Sequence, residues 1–201
     1  MSAATNLQLV DDPVKTSICV EDPLSTVKLA DELVMKLQKL KIARERPKIL
    51  LCIGTDRSTG DCLGPLVGSK ISEKQQDFFI IYGTLDNPVH ASNLKEVLDE
   101  INLLYREPFI IAVDACLGKH ENIGCVTIGN GSLLPGASVN KELPPVGHIH
   151  ITGIVNMGGF MEYFVLQNTR LNLVMKIADV IAGGLGQAAS QFIKSEKTRG
   201  G

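Results

Sequence analysis

Ile49-Leu50-Leu51-Cys52-Ile53-Gly54-Thr55-Asp56-Arg57-Ser58-Thr59-Gly60-Asp61-Cys62-Leu63-Gly64-Pro65 is the stretch on which the fold turns. Its first five residues are an unbroken apolar run halted by a glycine, the pattern of a strand covered on both faces in a parallel sheet. A polar, glycine-bounded loop follows. Pro65, well tolerated in the first turn of a helix, places Asp61 at or near a helix N-terminus. Strand, polar loop and helix in this order open a βαβ unit.

The same grammar recurs on both sides. Apolar runs occupy residues 78–82, 109–113 and 126–128, with a weaker one at 149–155. Helical spacing links Val27, Ala30, Leu33, Val34, Leu37 and Leu40 behind a candidate cap at Ser25, and Pro47 closes that segment. It returns in Leu94, Val97, Leu98, Ile101 and Leu104 behind Ser92. A last helix spans residues 171–193 through Leu173, Val174, Ile177, Val180 and Ile181, with Gly183 and Gly184 interrupting the pattern. Strands alternating with helices imply parallel strands joined by right-handed crossovers, hence a three-layer α/β/α sandwich with a mostly parallel sheet. Residues 1–24 contain Asp11, Asp12, Pro13, Asp22 and Pro23 with few apolar runs and read as an extended arm; residues 25–201 read as one α/β domain.

Composition narrows the partners. Twenty basic against 22 acidic side chains, a net charge of −2, provide no field for nucleic acid or anionic lipid. No early stretch resembles a signal peptide, and no uninterrupted apolar run approaches the roughly 18 residues of a membrane span, so a cytoplasmic protein is expected. The five cysteines are odd in number, far apart and without a CxxC pair, which suggests neither a disulfide framework nor a zinc knuckle. Nothing in the sequence fixes the oligomeric state.

Ligands of such sheets bind at the carboxyl ends of the strands. Two carboxylates stand there: Asp61 after the first run and Asp114 at the end of Val113-Asp114-Ala115. Two acids close together cannot both ionise cheaply, so one keeps a proton and the other acts as base, a pair able to activate water and protonate a leaving amine. The structural alternatives are a helix cap for Asp61 and a loop-bonded strand end for Asp114. Gly54, Thr55, Asp56 and Gly60 are expected to line the substrate site, their amides meeting a developing oxyanion. The loop does not spell a phosphate site, because five residues separate its glycines and Asp61 stands where a Walker lysine would be. Cys62 and Cys116 flank the acids, but none of His90, His120, His148 and His150 sits in a cysteine-protease context. A metal held by Asp61, Asp114 and a histidine is a further alternative. Ser138 lacks the G-x-S-x-G setting of a serine hydrolase.

These segments resemble the germination protease family of bacterial spores. The likeness rests on Asp61-Cys62-Leu63-Gly64-Pro65, on Ile110-Ile111-Ala112-Val113-Asp114-Ala115, and on the ordered series Thr127-Ile128, Pro135-Gly136, Asn140-Lys141-Glu142-Leu143 and Gly153-Ile154-Val155. The resemblance implies a phosphorylase/hydrolase-like fold shared with hydrogenase maturation endopeptidases, and an acidic endopeptidase with Asp61 and Asp114 as its catalytic pair. It adds Ser138, Asn140 and Lys141 to the substrate-binding residues. It implies a sporulation-associated enzyme of the forespore or spore core, acting on a protein or peptide substrate such as the small acid-soluble spore proteins, without metal or other cofactor. The hydrogenase maturation relatives sense nickel with a histidine in a later loop, whereas residues 135–143 here contain none. A non-catalytic peptide-binding or assembly protein of sporulation that retains the cleft is the rival expectation.

Overall fold

A computed structural model describes residues 15–43, 45–74, 76–135 and 143–199. Strands β1 (Thr16–Cys19), β2 (Lys48–Cys52), β3 (Ile80–Tyr82), β4 (Phe109–Gly118), β5 (Cys125–Asn130) and β6 (Ile149–Met157) form one sheet in the order β1-β5-β6-β4-β2-β3. The helices are α1 (Ser25–Lys39), α2 (Leu63–Ser72), α3 (Leu94–Leu104), the short α4 (Glu162–Gln167) and α5 (Leu171–Arg199). The block β3-β2-β4-β6 is parallel, whereas β5 and β1 run antiparallel to their neighbours. Chain length explains the reversal. Only residues 119–124 lie between β4 and β5, and a parallel crossover takes about a dozen residues or more.

Helices cover both faces, giving a three-layer α/β architecture. Leu50, Ile111, Val113, Val126, Ile128 and Ile151 join residues of α1, α2 and α5 in one core, while Ile49, Leu51, Ile110 and Ala112 meet Leu94 and Ile101 of α3 in a second. Neighbouring residues of a strand point to opposite faces. Because β2 is buried on both, it must be apolar throughout, and that is the physical content of the run at 49–53.

The structure departs from the sequence reading in several places. Thr16–Cys19, within the segment read as an extended arm, is an edge strand whose Ile18 is buried. Ser25 is the first helical residue instead of the cap, and the amides of Leu24 and Ser25 donate to Asp22. Asn93, one residue past Ser92, precedes α3, and its Oδ1 accepts from the His90 amide. Phe78 and Phe79 lie outside β3, and Phe78 packs against Phe192. β4 continues five residues beyond Val113. α5 passes unbroken through Gly183 and Gly184, where a Cβ would come within 2.8–2.9 Å of Thr26 or Leu29 of α1. The glycines let two helices approach closely, and the hydrogen-bond ladder of the helix outweighs their poor propensity.

Leu29 is fully buried at this crossing. Leu29→Ala should therefore cost about 2–5 kcal/mol, read as a lower urea midpoint at unchanged m-value.

Candidate active site

The strand order reverses around β2. The β2–α2–β3 unit steps outward to the sheet edge, and β3–α3–β4 returns across β2 to its other side. α2 and α3 consequently lie on opposite faces, contributing to different cores. In open α/β sheets such a switch point, here beyond the carboxyl ends of β2 and β4, is where ligands bind. Cys52, the last residue of β2, pairs with Val113, so Asp114 is the first residue of β4 beyond that edge. From there β4 continues in register with β6, Asp114 opposite Thr152. Asp61 reaches the same place from the other wall, through the loop that leaves β2 and enters α2.

That loop is pinned at both glycines. The Gly54 amide donates to the Val89 carbonyl at 2.8 Å, and the Thr55 amide donates to the Asp61 carbonyl at 3.1 Å. The Gly60 amide donates to the Leu166 carbonyl of α4 at 2.8 Å. A Cβ on Gly54 would fall 2.0 Å from the Asp61 carbonyl oxygen, so only glycine fits there. These three amides are already engaged, which corrects the expectation that Gly54, Thr55 and Gly60 present free N–H groups to an oxyanion. The Thr55 hydroxyl accepts from the Arg57 amide at 3.3 Å, and Asp56 is exposed on the loop's outer surface.

The two acids share one electrostatic environment. Asp114 is buried, and its Oδ1 accepts from the Ala115 amide at 2.8 Å. Burial, and then the charge of Asp61, push its carboxyl well above the usual carboxylate range, with the Ala115 amide a smaller opposing influence. Asp61 is partly buried, and burial raises its pKa too, but the Thr55 amide and the His90 charge oppose that rise. Both shifts favour the protonated carboxyl, more strongly at Asp114 than at Asp61.

His90 is the site residue that the sequence reading did not single out. It lies between Val89, which bridges to Ile53 beyond the end of β2, and Asn93 at the start of α3. Its Nδ1 accepts from the Ser92 amide at 3.3 Å. The available signal was its place just before a helix on the return path to β4. His148 lies elsewhere, at the amino end of β4, where it stacks on Phe109 and accepts from the Ile110 amide through Nδ1. His150 faces Gly131 at that same end of the sheet. Ser138, Asn140 and Lys141 lie outside the described residues.

The flanking thiols are poor nucleophiles. Cys62 donates to the Thr59 carbonyl at 3.0 Å, with its pKa raised mainly by burial. Burial pushes the Cys116 pKa up to about 11, opposed by a hydrogen bond with Thr152, with a smaller upward influence from Asp114. Among the described residues no group of three His, Cys, Asp or Glu side chains is arranged to hold a metal ion, so Asp61, Asp114 and a histidine do not form a ligand set there. No helix among them is long and apolar enough to cross a membrane.

Comparison with known proteins gives a close relative. The chain is 59% identical over 146 residues to the "Uncharacterized protein YyaC" of Bacillus subtilis (strain 168), covering 73% of this chain and 71% of that protein. Among solved structures, the NiFe hydrogenase maturation protease HycI from Thermococcus kodakarensis KOD1 superposes with a TM-score of 0.46 at 16% identity, over 75% of this chain and 99% of that one. The Hydrogenase 3 Maturation protease gives 0.39 at 13%, over 70% and 89%. Over residues 17–184, which include both Asp61 and Asp114, this chain belongs to the family described as "Protein of unknown function (DUF1256)".

Proposed function

We propose that the chain is an endopeptidase in which Asp114 and Asp61 act together on a peptide bond. One feature carries the reading: a buried carboxyl at the switch point of the sheet has its pKa raised by burial and by the charge of a second carboxyl. In the productive state Asp61 takes a proton from water as the water oxygen bonds to the carbonyl carbon, and Asp114 gives its proton to the carbonyl oxygen. Collapse of the tetrahedral intermediate breaks the C–N bond. The proton on Asp61 goes to the leaving nitrogen, one hydroxyl returns a proton to Asp114, and the pair is restored. His90, beside Asp61, favours the charged form that the first step requires.

The surroundings suit a polypeptide. Beside the pinned loop, Met157, Phe160, Met161 and Phe164 line an open, mainly apolar hollow of about 490 Å³, joined to the loop through the Gly60–Leu166 hydrogen bond. Such a hollow can seat an apolar side chain of an extended substrate. On the germination-protease resemblance the setting is the bacterial spore, and its small acid-soluble proteins are the first substrates to try.

The test is incubation of the purified full chain with those proteins and with a diverse peptide library, reading new termini by mass spectrometry. The Asp61→Asn/Asp114→Asn double variant is the blank. Termini specific to the wild type are expected; equal yields from both proteins would overturn the peptidase reading and leave a peptide-binding protein with an inherited cleft.

A further inference from the structure

Cys19 and Cys125 are 106 positions apart in sequence yet directly opposite one another in the sheet, as register partners of antiparallel β1 and β5. The hydrogen-bond phase determines what that means for their sulfurs. The Val20 amide donates to the Gly124 carbonyl at 3.0 Å, so Val20 and Gly124 occupy a hydrogen-bonded position. On the other side of β5, the Gly131 amide donates to the His148 carbonyl at 2.8 Å, so the odd-numbered residues of β5 direct their backbone groups toward β6. Both observations put Cys19 and Cys125 in a non-hydrogen-bonded pair, the narrow kind, with Cα atoms about 4.5 Å apart and side chains on one face. A disulfide spans Cα separations of roughly 4.4–6.8 Å.

We infer that Cys19 and Cys125 are an oxidation site, a cross-strand dithiol that a low-molecular-weight disulfide converts into an internal bridge fastening β1 to the sheet. The order of events follows from exposure, since Cys19 is open to solvent and Cys125 only partly so. The Cys19 thiolate attacks one sulfur of the oxidant, forming a mixed disulfide and releasing the first reduced thiol. The Cys125 thiolate then attacks the Cys19 sulfur, forming the internal bond and releasing the second. Two protein thiols are oxidised and one oxidant disulfide is reduced to two thiols. The other cysteines cannot compete. Cys52 and Cys62 are buried, and Cys116 is separated from Cys125 by Ile154 of the intervening strand, roughly 10 Å away at the usual strand spacing.

The bridge would close the chain from residue 19 to 125, restricting the unfolded state. It would also fix an edge strand that carries Ser17 in lateral register with Thr127, Thr152 and finally Asp114. The inference stands independently of the peptidase reading, because its readout is thiol chemistry.

The reduced full chain is treated with oxidised glutathione, its free thiols are counted after denaturation, and its non-reduced peptides are mapped by mass. Wild type should fall from five thiols to three, with Cys19 and Cys125 in one linked peptide about 2 Da lighter than the sum of its parts. Its Tm should rise by roughly 5 °C or more and return on reduction. Cys116→Ser should still lose two thiols, whereas neither Cys19→Ser nor Cys125→Ser should form the bridge. A wild type that retains five thiols, a bridge between another pair, or glutathione remaining on Cys19 with Cys125 still free would overturn the inference. Peptide mapping of the wild type decides this even if a variant folds badly.

Discussion

Asp114→Asn should reduce peptide cleavage by about 10²–10⁴-fold, the span over which a positioned proton donor contributes to such reactions. The amide keeps the shape of the carboxyl and can still accept from the Ala115 amide through its oxygen, so the fold should persist. What disappears is the acidic proton. A second readout, the pH dependence of stability, separates this from general damage. The folded-state pKa of Asp114 is raised well above its ordinary 3.8, so between those limits the native state binds a proton that the unfolded chain has lost. The associated stability is fully present below pH about 4 and declines as pH rises through the folded pKa. The wild type should therefore lose stability across this interval, and the variant should show a flatter profile in urea unfolding. Activity should follow the same limb, falling as pH rises through the Asp114 pKa, and falling on the acid side as Asp61 takes up a proton. Parallel stability profiles for the two proteins would show that Asp114 is not the group held protonated.

Gly54→Ala should destabilise the fold by on the order of 3 kcal/mol or more, with cleavage lost even in the fraction that folds. Gly54 has φ +145°, and its added Cβ would lie 2.0 Å from the Asp61 carbonyl oxygen and 3.0 Å from Pro65 Cδ. The clash can be relieved only by moving Asp61 or the start of α2. Gly131→Ala is the matched control. It has φ +90° and nothing within 4 Å of the new methyl, so it carries backbone strain alone, about 1–2 kcal/mol. Equal unfolding midpoints for Gly54→Ala and Gly131→Ala would mean that the close approach of Gly54 to Asp61 is not real.

How much of this was legible depended on whether a residue's environment is set by its neighbours in sequence. The run at 49–53 could be read because burial on both faces imposes an apolar residue at every position. Thr16–Cys19 could not, since only Ile18 meets the core and the segment becomes a strand through β5, more than 100 residues away. The extension of β4 to Gly118 was hidden for the same reason. Asp114 and Cys116 break the apolar run, and pairing with β6 keeps the backbone extended there. The glycines of α5 misled because helix propensity is local, whereas the close fit against Thr26 and Leu29 is not. His90 went unnoticed because its position depends on the bridge between Ile53 and Val89.

By itself the sequence determined the alternation of strands and helices and the placing of an acid just beyond two buried runs, because local periodicity and chain breaks encode both. Tertiary structure alone decided that the charge of Asp61 reaches Asp114, that the charge of His90 reaches Asp61 and that Cys19 stands opposite Cys125. Strand order and register set those meetings, and both arise from pairings between distant segments, where electrostatic and covalent chemistry depend on separation in space and not along the chain.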